Sequence, residues 1–275
     1  MDHLSKALRQ RRSVRTFLKK PVDPSLLESL QAYAAENQNP FGIEVRFVFL
    51  DAKEHHLSAP VLSNEPFYIA AVVNKVPYGE EAVGYAFEKL MLKAVSEGLG
   101  TVWIGGTMKR EMFEKAAGIK EGERMPCITP VGYPAKPALK EAMMRKGVGA
   151  DQRRSRDQLF FEGSFTVPLA EQDPVINEAL EAVRWAPSAV NKQPWRIVRK
   201  DGRFHFYKYS EKSYYSEPVG DMQRIDAGIA LCHFMTVLEE NGRTAEVVIE
   251  DPKIAEDPDL TYIVSVKTER EKEYE

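Results

Sequence analysis

The chain has 275 residues, of which 43% are apolar and 29% charged, with a net charge of −3 at pH 7. This is ordinary globular composition, long enough for one large domain or two modest ones, and it gives no global reason to expect nucleic acid or an anionic membrane as a partner. Cys127 and Cys232 stand far apart in apolar stretches, which argues against a disulfide framework. No stretch approaches the roughly 20 apolar residues of a membrane span, and Met1-Asp2-His3-Leu4-Ser5-Lys6 lacks the apolar core of a signal peptide, so the cytoplasm is the expected location.

In chain order, Asp2 to Arg12 reads as a short amphipathic helix with Leu4 and Leu8 on one face. Asp23-Pro24 has the form of an N-cap followed by proline at the first helical position, opening a helix with Leu26, Leu27, Leu30 and Ala34 as its apolar stripe. Val45 to Leu50 and Tyr68 to Val73 are predicted strands, the second apolar enough to be central. Glu81 to Glu97 is a long helix, apolar or small on several sides and closed by Gly98. Met108 to Ala117 is a shorter helix and Pro126 to Gly132 a strand. Residues 134–163 read as an extended crossing segment with one helical turn or more.

The order then begins again. Asp173-Pro174 repeats the cap and proline, and Ile176 to Trp185 is a helix. Arg196 to Arg199 and Phe204 to Tyr209 are strands joined at Asp201-Gly202. Asp221 to Glu240 is a second long helix, closed by Asn241-Gly242, and Ala245 to Glu250 and Tyr262 to Val266 are strands. Helices around a mainly antiparallel sheet imply an α+β fold.

Gly84, Ala86, Met91 and Gly98 are matched by Gly228, Ala230, Met235 and Gly242 at one constant offset, and the loop Asn37-Gln38-Asn39-Pro40-Phe41 resembles Asn191-Lys192-Gln193-Pro194-Trp195. Coincidence between two amphipathic helices is the alternative to duplication. Duplication predicts related halves at 1–165 and 166–275, with the two long helices packed on each other. A glycine inside each helix costs about 1 kcal/mol against alanine, and its use twice at one place suggests a close crossing.

Only the first half begins with Arg11-Arg12-Ser13-Val14-Arg15, whose guanidinium forks suit a phosphate and a polar chain; a salt-bridged helix end is the other reading. Only the second has Ala186-Pro187-Ser188-Ala189-Val190-Asn191-Lys192-Gln193-Pro194-Trp195. There, rigid prolines and amides are equipment for the edge of a flat heterocycle, or an ordinary turn before a strand. Gly98-Leu99-Gly100-Thr101-Val102-Trp103-Ile104-Gly105-Gly106 lacks dinucleotide-fingerprint spacing; Gly105-Gly106 would admit a planar ligand close to the backbone, or is a cap and turn. Arg153-Arg154-Ser155-Arg156 offers further phosphate charge or a solvated face. The five histidines show no metal-binding spacing, neither cysteine has a near partner, and no nucleophile elbow or phosphate-binding Walker loop is present. No catalytic side chain and no metal site are therefore assigned.

These stretches resemble the flavin-dependent nitroreductase family: Arg11 to Phe17 its opening motif, Pro187 to Trp195 its P-S-x-x-N-x-Q-P-W motif, and Glu97 to Gly106 and Val131-Gly132-Tyr133-Pro134 two later stretches. Family members are typically homodimers with FMN at the subunit interface. Here the opening motif, the glycine stretch and a phosphate-binding-like tail at Arg153 to Leu159 lie in one half and the intact P-S-x-x-N motif in the other. The resemblance is thus to a fused, pseudo-dimeric branch, thermophile-type in character. It implies one complete FMN site per chain in a monomer acting as an intrachain pseudo-dimer, with the reciprocal site, at Glu36 to Pro40, lost or weak.

By position, the resemblance implies that Arg11, Arg12, Ser13 and Arg15 hold the phosphate, ribityl chain and pyrimidine edge. Arg153 and Arg156 add phosphate charge. Pro187, Ser188, Ala189, Asn191 and Gln193 line the ring from the other side, Ile104, Gly105 and Gly106 approach flavin N5, and Asn64 is a further candidate. The implied activity is ping-pong hydride transfer from NAD(P)H through the flavin to a small aromatic or quinone-type acceptor. A carrier or sensor on the same scaffold, binding flavin or another flat ligand without catalysis, is the rival.

Overall fold

The computed structural model describes residues 4–268. Asp2 and His3, within the first predicted helix, lie outside the described residues. The described helix α1 is Leu4–Gln10, and it buries Leu4, Ala7 and Leu8. Helix α2 spans Pro24–Glu36; the Asp23 carboxylate accepts from Ser25 N, and Pro24 fills a position whose missing N–H costs nothing.

Strands β1 (Val45–Asp51), β2 (Phe67–Asn74) and β3 (Glu123–Val131) form one antiparallel sheet in the order β1-β2-β3. The central strand β2 is buried on both faces. Ile69, Ala71 and Val73 face the core shared with α2 and α3 (Gly79–Ser96). Tyr68, Ala70 and Val72 face α4 (Arg110–Ala117), where Tyr68 meets Phe113 edge to face. Residues 100–104 run along the free edge of β3 through bridges Gly100↔Gly132 and Ile104↔Ile128, an irregular fourth strand.

The crossing segment holds more regular structure than the sequence predicts: a helix, α5 (Leu139–Gly147), and a strand, β4 (Phe160–Glu162). Strand β4 pairs in parallel with β5 (Trp195–Lys200), beyond α6 (Pro174–Trp185). Next come β6 (Arg203–Tyr209), a two-stranded ribbon of β7 (Tyr215–Ser216) and β8 (Gly220–Asp221), α7 (Met222–Glu240), β9 (Ala245–Val248) and β10 (Leu260–Thr268). The second sheet has the order β4-β5-β6-β10-β9, antiparallel except at β4. Asp201 and Gly202 both adopt positive φ, the conformation that matches a two-residue hairpin turn to strand twist. Cys127 and Cys232 are free and buried.

The two sheets repeat one plan. Residues 100–104 flank β3 as β9 flanks β10, and α3 corresponds to α7. Where these helices cross, the contact is reciprocal: a Cβ at Gly84 would overlap the Ile225 carbonyl oxygen, and a Cβ at Gly228 would overlap the Glu81 carbonyl oxygen. Gly84 and Glu81 map onto Gly228 and Ile225 by the same offset seen in sequence. An interface in which each element meets its own counterpart is the signature of a two-fold arrangement. Both helices are buried on nearly all sides, as expected for elements with no solvent face.

Helix α1 packs on α3 of its own half and at the same time enters the core of the second, with α6 and α7. Ser5 N donates to the Glu240 carboxylate at 3.1 Å, and Arg9 pairs with Glu178 at 2.6 Å. This crossing, like that of β4, carries first-half chain to second-half structure.

Gly84→Ala and Gly228→Ala should each destabilise the protein by at least the about 1–3 kcal/mol of an overpacked core, because rigid helix backbone meets the added methyl. Gly147→Ala, where an added Cβ meets nothing within 4 Å, should be neutral or mildly stabilising. Urea unfolding midpoints of the three variants check this contrast.

Candidate functional site

A cleft of about 1030 Å3 lies at the junction of the two sheets' helices. One wall is the arm that follows α1. Val14 N donates to Thr101 O and Ser63 N to Arg15 O, both at 2.9 Å, so the arm is held as an extended strand. Val14 and Phe17 point into the core. Gly100 is required for this: a Cβ there would lie 2.8 Å from Val14 Cγ1. Arg11, Arg12, Ser13 and Arg15 line the cleft.

The opposite wall is the loop after α6, where Pro187, Ser188, Ala189, Val190 and Asn191 line the cleft. Val190, Asn191 and Gln193 have φ of 42°, 58° and 51°. A β-branched residue in the left-handed region is strained, and such strain persists only where the surroundings enforce it. Here Ser188 Oγ accepts from Gln193 N at 2.9 Å, and the buried Asp226 carboxylate on α7 accepts from Ala189 N at 3.0 Å. The Asn191 amide donates to Gly149 O at 2.7 Å and Gln152 O at 2.9 Å. Ile104, Gly105 and Gly106 form the end of the cleft. An added Cβ at Gly106 meets nothing within 4 Å, and at Gly105 nothing nearer than 3.6 Å, so packing does not demand glycine at either position.

Twelve of the fifteen predicted residues therefore share one cleft; Asn64, Arg156 and Gln193 do not line it. Asn64 donates to Phe17 O at 3.3 Å and braces the arm from behind. Arg156 bonds Asn177 Oδ1 at 2.8 Å and lies over the Phe160 ring at 5.4 Å. Gln193 is buried, with its Oε1 accepting from Arg154 N at 2.9 Å and its Nε2 donating to Asn191 O at 3.0 Å. The amides of Asn191 and Gln193, read from sequence as the edge-reading groups, are thus spent on the chain itself. The crossing segment supplies backbone partners that the local sequence does not reveal.

Other lining residues were not singled out in the sequence. Arg145 and Met144 come from α5, and Asp226 and Met222 from the start of α7. Trp185 also lines the cleft, with the Arg153 guanidinium over its ring at 4.8 Å. The Asp226 signal was available: an aspartate one turn into a helix already capped by Asp221. Arg145 carried none, because its position depends on where α5 lies.

The cleft is rich in arginine. Burial lowers the basicity of Arg11; Glu88 opposes the shift and Arg145 adds to it. Arg15 is lowered by burial, opposed by Glu141 and reinforced by Arg145. Burial and the charge of Arg11 bring Arg153 down to about 10. Arg11 Nη1 and Arg153 Nε are buried without hydrogen-bond partners. Crowded guanidinium groups with orphaned donors lower their energy when an anion with several acceptor oxygens binds. The reciprocal loop, with Asn37, Gln38 and Asn39, lines a separate groove where, among the described residues, Arg46 is the one arginine, and Asn37 Nδ2 is spent on Ala86 O at 2.6 Å.

Burial raises the pKa of Asp226 well above the ordinary carboxylate value, outweighing the Ala189 N–H bond that lowers it, and Asp221 adds to the rise. The folded chain then binds this proton more tightly than the unfolded chain. Its contribution to stability is greatest below the ordinary carboxylate pKa and declines as pH rises toward the folded-state value. Asp226→Asn keeps an acceptor for Ala189 N–H without a charge. Its stability relative to the native chain should increase between about pH 4 and about pH 7.5, measured by urea unfolding.

The family model described as "Putative TM nitroreductase" matches residues 3–237. A crystal structure of a nitroreductase-like protein from Thermotoga maritima is 19% identical, with a TM-score of 0.61 over 96% of this chain and 92% of that one. An FMN-dependent nitroreductase from Clostridium difficile is 20% identical, with a TM-score of 0.42 over 48% of this chain and 88% of its own. Iodotyrosine deiodinase bound to FMN and 3-iodo-L-tyrosine is likewise 20% identical, with a TM-score of 0.41 over 49% of this chain and 91% of its own. The search of curated proteins gave no match. With the match spanning most of its length, and with the α+β architecture above, the chain belongs to the nitroreductase family so described.

Proposed function

We propose that this protein is an FMN-dependent oxidoreductase that holds one flavin per chain in the cleft between its halves. The observation that carries the reading is convergence: an arginine-rich arm and a proline-serine-amide loop, distant in sequence, form facing walls of one cleft. Its volume of about 1030 Å3 is at the upper end of small-molecule sites. The residues fit such a ligand: Arg11, Arg12, Arg15 and Arg153 match a phosphate, the donors Arg11 Nη1 and Arg153 Nε lack partners, and Gly105 and Gly106 leave the wall open to a flat ring.

The chemistry that flavin would supply is ping-pong hydride transfer between NAD(P)H and a small aromatic or quinone-type acceptor. The chain's own part is binding and orientation. The arm fixes Arg11 and Arg15 through its backbone pairing with Thr101 and Ser63, so little ordering cost falls on ligand binding. The loop, held by Asp226 and the 149–152 backbone, presents Pro187, Ser188 and Ala189 from the other side. Arginine beside a ring that gains negative charge on reduction stabilises the reduced form. The apolar lining, with Ile104, Trp103, Met222 and Ile225, reduces the water around it. Among the described residues no helix is long and apolar enough to cross a membrane. We place the protein in the cytoplasm, acting as a monomeric intrachain pseudo-dimer.

Titration of the flavin-free chain with FMN should give one site per chain, with a visible absorbance band that reduced nicotinamide bleaches and an added nitroaromatic or quinone restores. Flavin binding without bleaching would favour a carrier over an enzyme, and absence of binding would overturn the proposal. Arg12→Ala and Asn191→Ala, on opposite walls, should each raise the FMN dissociation constant about tenfold or more, equivalent to about 1.4 kcal/mol. Asn191→Ala would act by releasing the loop from Gly149 and Gln152. Unchanged affinity in both would defeat the shared-wall arrangement.

A further inference from the structure

Beneath the arginine arm a polar network spans the junction of α3 and α7. Glu88 on α3 and His233 on α7 are wholly buried. Glu88 Oε2 accepts from Trp103 Nε1 at 2.7 Å. Glu88 Oε1 faces His233 Nε2 at 2.9 Å and Arg11 Nε at 3.5 Å. The other nitrogen of His233, Nδ1, lies 2.9 Å from Ala182 O on α6. Both ring nitrogens thus lie within hydrogen-bond distance of an oxygen. Burial alone would raise the pKa of Glu88. The His233 hydrogen bond, the charges of Arg11 and His233 and the Trp103 hydrogen bond outweigh it, so the carboxyl is held below its ordinary value. The group is therefore an anion in the protein interior, compensated on three sides.

The network is one-sided. Glu88 stands one helical turn after Gly84, and the residue in the same place after Gly228 is Cys232, a thiol whose pKa burial pushes up. The pseudo-two-fold relation that brings Gly84 and Gly228 together fails one turn later. The carboxylate is present only beneath the arginine arm.

We infer that Glu88, clamped by His233 and Trp103, is a positioning residue that holds the Arg11 guanidinium at the floor of the cleft by its Nε edge, leaving Nη1 unpaired for the ligand. Among the described residues the counter-charge to Arg11 is Glu88, at the Nε edge, and Nη1 is buried without a hydrogen-bond partner. A guanidinium fixed on one edge keeps its donors in a set orientation, and less rotational freedom is lost when an anion binds. His233 reaches Glu88 from α7 and is anchored to α6, the helix that leads into the Pro187–Gln193 loop. The two walls of the cleft are thereby referenced to one buried carboxylate. This rests on the flavin-binding reading above and extends it to residues that need not touch the ligand.

The test is a double-mutant cycle on the full chain, with FMN titrated into the millimolar range so that weak variants are measured. Glu88→Gln should raise the FMN dissociation constant about tenfold when Arg11 is present, and by less than about twofold in the Arg11→Gln background. His233→Asn removes the Nε2 donor to Glu88 and should weaken binding in the same direction by a smaller factor, again only with Arg11 in place. If Glu88→Gln does not fold, the His233→Asn and Arg11→Gln cycle decides on the same terms. Equal weakening in both backgrounds, or none in either, overturns the positioning role. Failure of the native chain to bind FMN overturns the functional reading instead.

Discussion

The close crossing of α3 and α7 is the contact on which the rest of the structure depends. Gly84 lets the α7 backbone approach, and Gly228 lets the α3 backbone approach, each at the other's carbonyl. No side chain can substitute there without separating the helices, because a close-packed interior has no spare volume. The crossing sets the distance between the sheets. It therefore sets the width of the cleft between the arm that pairs with Thr101 and the loop that rests on Asp226.

Two exchanges of chain across this junction turn a packing interface into a site. Helix α1 packs on α3 and reaches across to α6 and α7, so the arginines that follow it start beside the second half's loop. The crossing segment then returns, through α5 and the 149–154 turn, to bind the same loop before β4 completes the second sheet. The second half has no arginine arm to send back. In the reciprocal loop at residues 36–40 the Asn37 and Asn39 amides donate to the chain itself, at Ala86 O and Ile43 O.

The electrostatics follow the same asymmetry. Burial lowers the basicity of Arg11, Arg15 and Arg153, the charge of Arg145 adds to each shift, and the buried carboxylate that compensates Arg11 occurs on α3 but not at the matching place on α7. Crowding of like charge costs stability in the ligand-free chain, and retaining it is the kind of local conflict expected where a site, rather than packing, sets the residue.

Elements with a local cause are legible along the chain. The Asp-Pro caps open α2 and α6 because an aspartate and a proline satisfy a helix start without tertiary help, and the repeated glycines mark a close crossing because nothing else excuses them inside a helix. The sequence also singles out the arm and the loop as chemically distinctive. How each side chain is used depends instead on long-range packing. Asn191 and Gln193 have the donors and acceptors to read a ligand, yet the backbone of the crossing segment reaches them first. Arg156 and Arg153 are neighbours in one basic run, but only Arg153 faces the cleft. Arg145 and the Glu88–His233 pair were invisible along the chain. Their roles come from the placement of α5 and from a contact between two helices far apart in sequence, and no local pattern encodes such a distance.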